Sequence, residues 1–303
     1  MERTELLMGT IVHLRVITVK EDEQKANLTI RRAFQAIRQV EQACSRFDRQ
    51  SELNAVCQTV GIPVPVSEYL FAPLQFAMSV SALTKGRFDP TLGRVLEELG
   101  FHEHYLTRET IGHRKNAQIV AANVNFRDVV LDETNRTVTL QKPLTLDLGA
   151  VAKGFAIDLA ASFLQEFPDY IVDAGGDLYA AGFNQDGEPW HVAIRDPHRK
   201  DGVLRTVRIH DEAMCTSGNY ERISNTITGA HHLIDPQTQS SASELISSTV
   251  IAPFAMMADA FSTAAFVMGA KEGLQCLEEN GLDGYLIDRN DQVYETETMR
   301  GYL

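Results

Sequence analysis

Residues 144–176 read LTLDLGAVAKGFAIDLAASFLQEFPDYIVDAGG, and this stretch indicates the fold class most clearly. The alternating LTLDLG at its start predicts a strand, and YIVDAGG at its end predicts another. Between them, AKGFAIDLAASFLQEF has the length and apolar spacing of a helix. A strand–helix–strand unit in a chain whose other strands stand alone or form hairpins predicts a mixed α+β fold with helices flanking the sheets.

Further strands and helices are predicted before and after residues 144–176. Residues 9–18 alternate as in a strand, and residues 23–45 place apolar side chains on one face of a helix. A second helix is predicted at 67–85 and a hairpin at 128–142. Further strands are predicted at 190–195, 203–210, 245–252 and 284–288, with an apolar helix between the last two. No Pro/Gly/Ser-rich linker divides the chain, so residues 1–303 are expected to form one unit with two lobes, roughly 1–143 and 144–303.

Composition excludes several classes of protein. With a net charge of −13, the chain lacks the excess of Lys and Arg by which general nucleic-acid binders hold phosphates. No apolar run approaches the roughly 20 residues that cross a membrane, and no basic-then-apolar leader opens the chain. We therefore expect a cytoplasmic protein as the chain stands, or an exported or membrane-anchored one if a leader has been trimmed. The four cysteines are scattered, without the spacing of a zinc site.

The apolar helix FAMMADAFSTAAFVMGA at residues 254–270 carries one carboxylate, Asp259, and one hydroxyl a turn later, Thr263. Both lie on one face at a period of about 3.6 residues. A buried carboxylate is costly unless it is paired, hydrogen-bonded or bound to a cation, and two hard oxygen donors suit Mg²⁺. The alternative is structural: Asp259 accepts hydrogen bonds from a nearby helix N-terminus, and Thr263 bonds back to its own helix.

Several turns are candidates for binding a phosphate. The step from Asp147 into the helix at Lys153 places free backbone N–H groups, the positive end of a helix dipole and an ammonium together. An ordinary strand-to-helix turn with a solvated lysine fits the same residues. The pair Gly175-Gly176 predicts a turn that lets the backbone approach a ligand, and Thr216-Ser217-Gly218 predicts a turn that binds an anion or caps a helix.

Two further motifs complete the set of candidate site residues. His231 and His232 precede a short apolar step and an Asp-Pro turn, and a histidine near a phosphate site is a candidate general base, with a structural role as the alternative. In GRFDPTLG at 86–93, Asp89 is predicted to cap a helix that holds Pro90 in its first turn. Enzymes that catalyse phosphoryl or nucleotidyl transfer combine such groups: oxygen ligands for a cation, a lysine, glycine-containing turns and a general base.

Taken in order, these segments resemble the ApbE family of FAD:protein FMN transferases, from about residue 6 to residue 290. The motifs that carry the resemblance are LLMGTIVHLRV at the start, SRFDRQSELNAV at 45–56, GRFDPTLG, DLGAVAKGFAID, DAGGD, TSGNYER, HLIDP and ADAFST. The resemblance implies a mixed α+β, T-fold-related unit that holds FAD in a cleft between two lobes. It also implies attack on the FAD pyrophosphate, release of AMP, and FMN esterified to a Thr or Ser hydroxyl of an acceptor protein.

The resemblance further implies roles for single residues. Mg²⁺ would be held by Asp259, Thr263 and the backbone carbonyl of Ala150. His232 would be the base for the acceptor hydroxyl, with Lys153 and Asp259 as the other catalytic residues. The residues expected to contact FAD are Met8, Phe47, Arg87, Phe88, Asp89, Asp147, Lys153 and Leu233. The resemblance leaves the oligomeric state open.

The chain departs from the family pattern just after the candidate base. Residues 235–241 read DPQTQSS where the family continues Asp-Pro-Arg-Thr-Gly, so the groove for the acceptor is expected to differ more than the FAD pocket. The acceptor pattern Asp-x-x-Ser/Thr-Gly-Ala/Ser-Ser/Thr occurs nowhere in the chain, so the acceptor flavoprotein is expected in trans. Two alternatives stay open, namely an FAD pyrophosphatase that gives FMN and AMP, and a non-catalytic FAD-binding or flavin-delivery protein.

Overall fold

The computed structural model describes residues 1–103, 124–199 and 201–302 and shows a mixed α+β fold, as predicted. The helices in these ranges are α1 (Glu23–Cys44), α2 (Glu52–Gln58), α3 (Glu68–Leu83), α4 (Gly93–Glu98), α5 (Ala152–Leu164), α6 (Ala255–Met268) and α7 (Ala270–Glu279). The strands are β1 (Glu2–Leu7), β2 (Thr10–Val16), β3 (Val64–Pro65), β4 (Val129–Asp132), β5 (Thr137–Leu140), β6 (Tyr170–Ala174), β7 (Asp177–Ala181), β8 (Trp190–Arg195), β9 (Val203–Ile209), β10 (Glu212–Gly218), β11 (Ile234–Asp235), β12 (Ser240–Ser241), β13 (Leu245–Ala252), β14 (Asp283–Asp288) and β15 (Val293–Glu295).

Eight strands form the main sheet, in the order β1-β2-β6-β7-β10-β13-β14-β15, and each strand is antiparallel to its neighbours. Because β2 pairs with β6, the N-terminal hairpin is joined directly to the second half of the chain. Helices α1, α5, α6 and α7 cover one face of the sheet and bury the larger hydrophobic core. The β8–β9 hairpin covers the other face, where Trp190 and Ile194 pack into a smaller core. The burial of alternate residues along β8 follows from this one-sided packing.

The contact between α5 and α6 positions the candidate site. A Cβ atom on Gly154 would lie 2.4 Å from the carbonyl oxygen of Ala255, so the first turns of the two helices can touch only because residue 154 has no side chain. The carboxylate of Asp158 accepts hydrogen bonds from the amides of Ala255 (2.6 Å) and Met256 (2.8 Å), and this caps α6. The close approach and the cap together fix the position of Asp259, one turn further along α6.

Most predicted elements are present near their predicted bounds. The strand, the two helices and the hairpin of the first half are β2, α1, α3 and the pair β4–β5. The four strands predicted in the second half are β8, β9, β13 and β14, and the apolar helix is α6. No helix in the described ranges has the length and apolar run needed to cross a membrane.

The strand predicted at residues 144–149 is wrong. Leu144, Leu146 and Leu148 are buried, as their alternation predicted. Their backbone joins no ladder in the described part of the chain beyond an isolated bridge between Leu92 and Thr145. An extended connector that crosses a core buries alternate residues in the same way as a strand does, so the pattern cannot tell the two apart.

Two predicted local structures are also wrong. Residues 216–218 do not form a turn, because they pair with residues 247–249 of β13 and end strand β10. Asp89 does not cap a helix, since α4 begins only at Gly93. Its Oδ1 atom instead accepts a hydrogen bond from the Thr91 amide at 2.9 Å, which folds the Asp-Pro step into a local turn.

Candidate functional site

Three charged side chains meet where α5 begins beside α6 and β7. They are Lys153, Asp177 and Asp259, and we call them the acidic subsite. The Lys153 ammonium forms an ion pair with Oδ2 of Asp177, whose Oδ1 accepts a hydrogen bond from the Thr216 amide at 2.8 Å. Asp177 and Asp259 are only 3% and 5% exposed. With all three groups ionised, the two carboxylates outweigh the one ammonium, so the subsite carries an excess of negative charge.

Burial and mutual charge shift the pKa values of this subsite. Burial raises the pKa of the Asp259 carboxyl to about 7, and the Asp177 carboxylate adds to the rise, whereas the Lys153 ammonium and the Gly154 amide oppose it. Burial alone would lower the pKa of Lys153, but the carboxylates of Asp177 and Asp259 raise it above its ordinary value. A nearby cation would favour the ionised form of Asp259, so the subsite is electrostatically suited to receive positive charge.

Two uncharged oxygen atoms belong to the elements that hold the Asp259 carboxylate, namely the start of α5 and α6 itself. In a regular helix the Gly154 amide would donate to the carbonyl of Ala150, four residues earlier. It donates instead to Oδ2 of Asp259 at 2.9 Å, and no hydrogen bond to the Ala150 carbonyl is found within residues 1–103, 124–199 and 201–302. The Thr263 hydroxyl lies 2.9 Å from the hydroxyl of Ser217 on β10. A carboxylate, a carbonyl and a hydroxyl therefore stand at the junction of α5 and α6.

This donor set fits a small divalent cation such as Mg²⁺, which prefers hard oxygen ligands. Across the described residues no three His, Cys, Asp or Glu side chains converge, so a metal here would draw on the Ala150 carbonyl and the Thr263 hydroxyl beside Asp259. The structural alternative holds in part, because Asp259 does accept a hydrogen bond at the N-terminus of α5. It fails for Thr263, whose hydroxyl bonds to Ser217 rather than to its own helix.

A second group of charges lies at the other end of the turn that leads into α5. It consists of Arg46, Asp147, Arg222 and His232, and we call it the mouth. Nε of Arg46 donates to Oδ2 of Asp147 at 2.7 Å, and the guanidinium lies 4.7 Å from the ring centre of Phe47. Burial would raise the pKa of the Asp147 carboxyl. The Arg46 guanidinium and a hydrogen bond from the Gly149 amide nevertheless hold this pKa below its ordinary value.

The two adjacent histidines differ in their surroundings. His231 is buried: its Nε2 lies 2.8 Å from the carbonyl oxygen of Ala242, and its Nδ1 accepts from the Leu233 amide at 3.3 Å. His232 is half-buried, and its Nδ1 lies 3.3 Å from the carbonyl oxygen of Arg222. Because a carbonyl only accepts, we assign the proton of His232 to Nδ1, which leaves Nε2 as an unprotonated acceptor.

The imidazole of His232 is held neutral. Burial and, to a smaller extent, the positive charge of Arg222 lower its pKa to about 3, although the hydrogen bond to the Arg222 carbonyl opposes the shift. The ring packs edge-on against Phe101 with 6.4 Å between ring centres. A neutral imidazole with one free nitrogen in a half-buried position can take a proton from a nearby hydroxyl.

The turn between β1 and β2 borders the mouth. Met8 has a φ of 54° and Gly9 a φ of 70°, a left-handed pair that reverses the chain between the strands. The Met8 amide donates to the carboxylate of Glu41 on α1 at 2.6 Å. A Cβ atom on Gly9 would lie 3.9 Å from a guanidinium nitrogen of Arg222, so this turn lies close to the mouth.

The remaining residues expected to contact FAD are engaged within the protein. Arg87 donates to the Val267 carbonyl at the end of α6 (2.9 Å) and to the Gln237 side chain (3.1 Å). The side chains of Phe88 and Leu233 are buried in the larger core, so a ligand would meet only their backbone. Oδ2 of the half-buried Asp89 accepts from the Phe126 amide at 3.1 Å.

Sequence reasoning did not single out Asp177, Arg46 or Arg222. Each lies inside a motif that had been noticed for other residues: Asp177 ends DAGGD, Arg46 precedes Phe47 in SRFDRQ, and Arg222 ends TSGNYER. The available signal was a charged residue beside a turn. The partners of these charged residues lie in chain segments that are distant in sequence. The sequence alone therefore could not distinguish them from other charged residues beside turns.

A family model and two similar proteins all indicate the same family. The ApbE family model matches residues 8–286. A protein from Haemophilus influenzae named FAD:protein FMN transferase is 30% identical over 312 residues, covering 97% of this chain and 88% of that protein. A Klebsiella pneumoniae protein of the same name is 32% identical over 305 residues, covering 95% of this chain and 84% of that protein.

Solved structures share the fold over the whole chain. The ApbE protein from Thermotoga maritima superposes with a TM-score of 0.85 at 26% identity, covering 100% of this chain and 98% of that one. The flavin transferase ApbE from Vibrio cholerae superposes with a TM-score of 0.83 at 25% identity, covering 100% and 99%. The mixed α+β arrangement of this chain is therefore the arrangement of these proteins.

Proposed function

The chain belongs to the ApbE family, and we propose that it transfers the FMN part of FAD to a Thr or Ser hydroxyl of an acceptor protein and releases AMP. The names of its relatives support the reaction, and the half-buried neutral His232 in the mouth supports the chemistry. The acceptor is a separate protein, since the chain has no acceptor pattern of its own.

The reaction is a displacement at phosphorus. The acceptor hydroxyl oxygen forms a bond to the phosphorus of the FMN phosphate while the bond from that phosphorus to the bridging oxygen breaks. AMP leaves with the bridging oxygen, and the hydroxyl proton passes to Nε2 of His232. The carbonyl of Arg222 fixes the tautomer that leaves this nitrogen free, because it binds the proton on Nδ1.

Asp259, Thr263 and the Ala150 carbonyl would hold Mg²⁺ in this scheme. The ion would neutralise charge on the pyrophosphate. Lys153 stays paired with Asp177, and because its side chain is 25% exposed it can also donate to a phosphate. Arg46 orients Asp147 at the start of the same turn.

One observation carries the proposal: the Gly154 amide donates to Asp259 rather than to the Ala150 carbonyl. The carboxylate is thereby held against the turn that connects the acidic subsite with the mouth. In this proposal the Asp259 carboxylate and the Ala150 carbonyl, which belong to chain segments more than a hundred residues apart, would be two oxygen ligands beside the pyrophosphate.

The test is an incubation of the protein with FAD, Mg²⁺ and a candidate acceptor domain. AMP is measured in solution, and flavin fluorescence is measured on the acceptor in a denaturing gel, with an acceptor whose hydroxyl residue is replaced by Ala as the control. A fluorescent acceptor is the expected result. AMP without fluorescent acceptor would instead identify an FAD pyrophosphatase, and bound FAD with neither product would identify a flavin carrier.

A further inference from the structure

The positively charged side chains of the candidate site differ in whether a carboxylate of the protein already pairs with them. Lys153 is paired with Asp177, and Arg46 is paired with Asp147 and lies 3.6 Å from a second carboxylate, that of Glu97. Arg222 is different. Its side chain is exposed, and in the described part of the chain no carboxylate lies within ion-pair distance of its guanidinium.

The position of Arg222 is set by its backbone. Its carbonyl oxygen lies 3.3 Å from both the amide and Nδ1 of His232, and the next residue, Ile223, bridges to His231. Its guanidinium reaches the turn at Gly9, where a Cβ atom would lie 3.9 Å away. Arg222 is thus tied to the candidate base on one side and borders the β1–β2 turn on the other.

The positive charge of Arg222 affects the pKa values of two other groups in the mouth. It contributes to the lowering of the pKa of His232 and, after Arg46 and a backbone amide, of the pKa of Asp147. Both groups belong to the mouth, so the exposed guanidinium lies close enough to influence them. A cation held there without a carboxylate partner is available to an anion.

We propose that the guanidinium of Arg222 binds a phosphate oxygen of the dinucleotide pyrophosphate. The inference rests on the proposed function, because it takes FAD as the ligand. The acidic subsite has no surplus positive charge before a metal binds, and Lys153 and Arg46 are each paired with a carboxylate. A chain of net charge −13 supplies no long-range attraction for an anion, and charges beyond roughly 8 Å are screened at physiological salt. A planar guanidinium suits a phosphate because it can donate two parallel hydrogen bonds.

In this proposal the backbone and the side chain of Arg222 have separate roles. The carbonyl orients His232, and it remains in place whichever side chain residue 222 carries. A substitution therefore removes the phosphate contact and leaves the tautomer of the base unchanged. This separation makes the proposal testable without loss of the fold, since the side chain is exposed.

The experiment compares Arg222→Gln and Arg222→Lys with a matched control, Arg300→Gln, whose side chain is 80% exposed and belongs to the C-terminal turn. Dissociation constants for FAD and for riboflavin, which has no phosphate, are measured by flavin fluorescence without acceptor. Mn²⁺ affinity is measured by electron paramagnetic resonance. We expect Arg222→Gln to weaken FAD binding about tenfold to a hundredfold, as for a hydrogen bond to a charged group, with riboflavin and Mn²⁺ binding unchanged. Arg222→Lys should recover part of the loss, and Arg300→Gln should lose nothing.

Several results would overturn the role of Arg222. FAD binding by Arg222→Gln within twofold of the unsubstituted protein would do so directly. An equal loss of riboflavin affinity, or of Mn²⁺ affinity, would show that the substitution disturbs the cleft as a whole. The proposed function fails in a different way: the unsubstituted protein would bind no FAD, or would bind it and yield neither product. In the second case a loss confined to Arg222→Gln would still support the contact.

Discussion

The acidic subsite and the mouth are adjacent but are built in different ways. The subsite lies on regular elements, with Lys153 on α5, Asp177 on β7 and Asp259 on α6, and its carboxylates are almost fully buried. The mouth is assembled from loops and turns, and two of its members, Arg222 and His232, are open to solvent to different degrees. Core packing therefore fixes the position of the subsite, whereas the mouth lies where a protein partner and a dinucleotide can reach it.

The largest expected effect comes from breaking the subsite at Asp259. Asp259→Asn should reduce AMP release by about a thousandfold or more, because several kcal/mol of charge stabilisation depend on the metal. Rates are measured with saturating FAD, and Mn²⁺ affinity is measured in parallel. Asp196→Asn is the control, since Asp196 is also buried but pairs with Arg199 just after β8. Turnover and metal affinity close to those of the unsubstituted protein would remove the metal from the mechanism.

The next effect comes from breaking the mouth at His232. His232→Ala should slow transfer by roughly 10²–10⁴-fold and leave FAD affinity unchanged, because the ring acts as a base. His231→Ala is the informative comparison. It leaves the Ala242 carbonyl and the Leu233 amide without their partner, so it should lower the free energy of unfolding by about 1–3 kcal/mol. If His232→Ala destabilises the fold as much and binds FAD poorly, its role is structural.

The same contrast explains what could be predicted from the sequence. Helix α6 and the pair Asp259 and Thr263 could be found because a carboxylate and a hydroxyl one turn apart interrupt an apolar face. The strand at 144–149 was mispredicted because buried alternation does not reveal whether the backbone has a neighbour to pair with. The pairs of Lys153 with Asp177 and of Arg46 with Asp147 could not be found, since they join segments whose proximity depends on sheet order and helix packing.

A smaller effect is expected when the helix contact that supports the subsite is disturbed. Gly154→Ala would place a methyl group 2.4 Å from the Ala255 carbonyl oxygen, so α5 and α6 must move apart at about 1–3 kcal/mol in the free energy of unfolding. Because the same residue donates to Asp259, Mn²⁺ affinity should fall as well. Gly301→Ala, where no atom lies within 4 Å, should change stability by no more than about 0.5 kcal/mol. Equal behaviour of the two variants would show that the contact does not position Asp259.

The smallest effect concerns the cap on α6 and depends on pH. Burial raises the pKa of the Asp158 carboxyl to about 6, although the amides of Ala255 and Met256 oppose the rise. The ordinary value is 3.8, so between these two pH values the folded protein holds a proton that the unfolded chain has lost. The folded state is therefore favoured by this group at low pH, and that advantage is lost as the pH rises through about 6.

The pH effect is isolated by comparison with Asp158→Asn, which cannot titrate. The free energy of unfolding of the unsubstituted protein, minus that of the variant, should fall by about 1–3 kcal/mol between pH 4 and pH 7. Asp259, whose pKa the Asp158 charge also raises, titrates in both proteins, so most of its contribution cancels in the difference. A difference that stays constant over this range would mean that the two amides balance the effect of burial, and one that grows with pH would mean that they outweigh it.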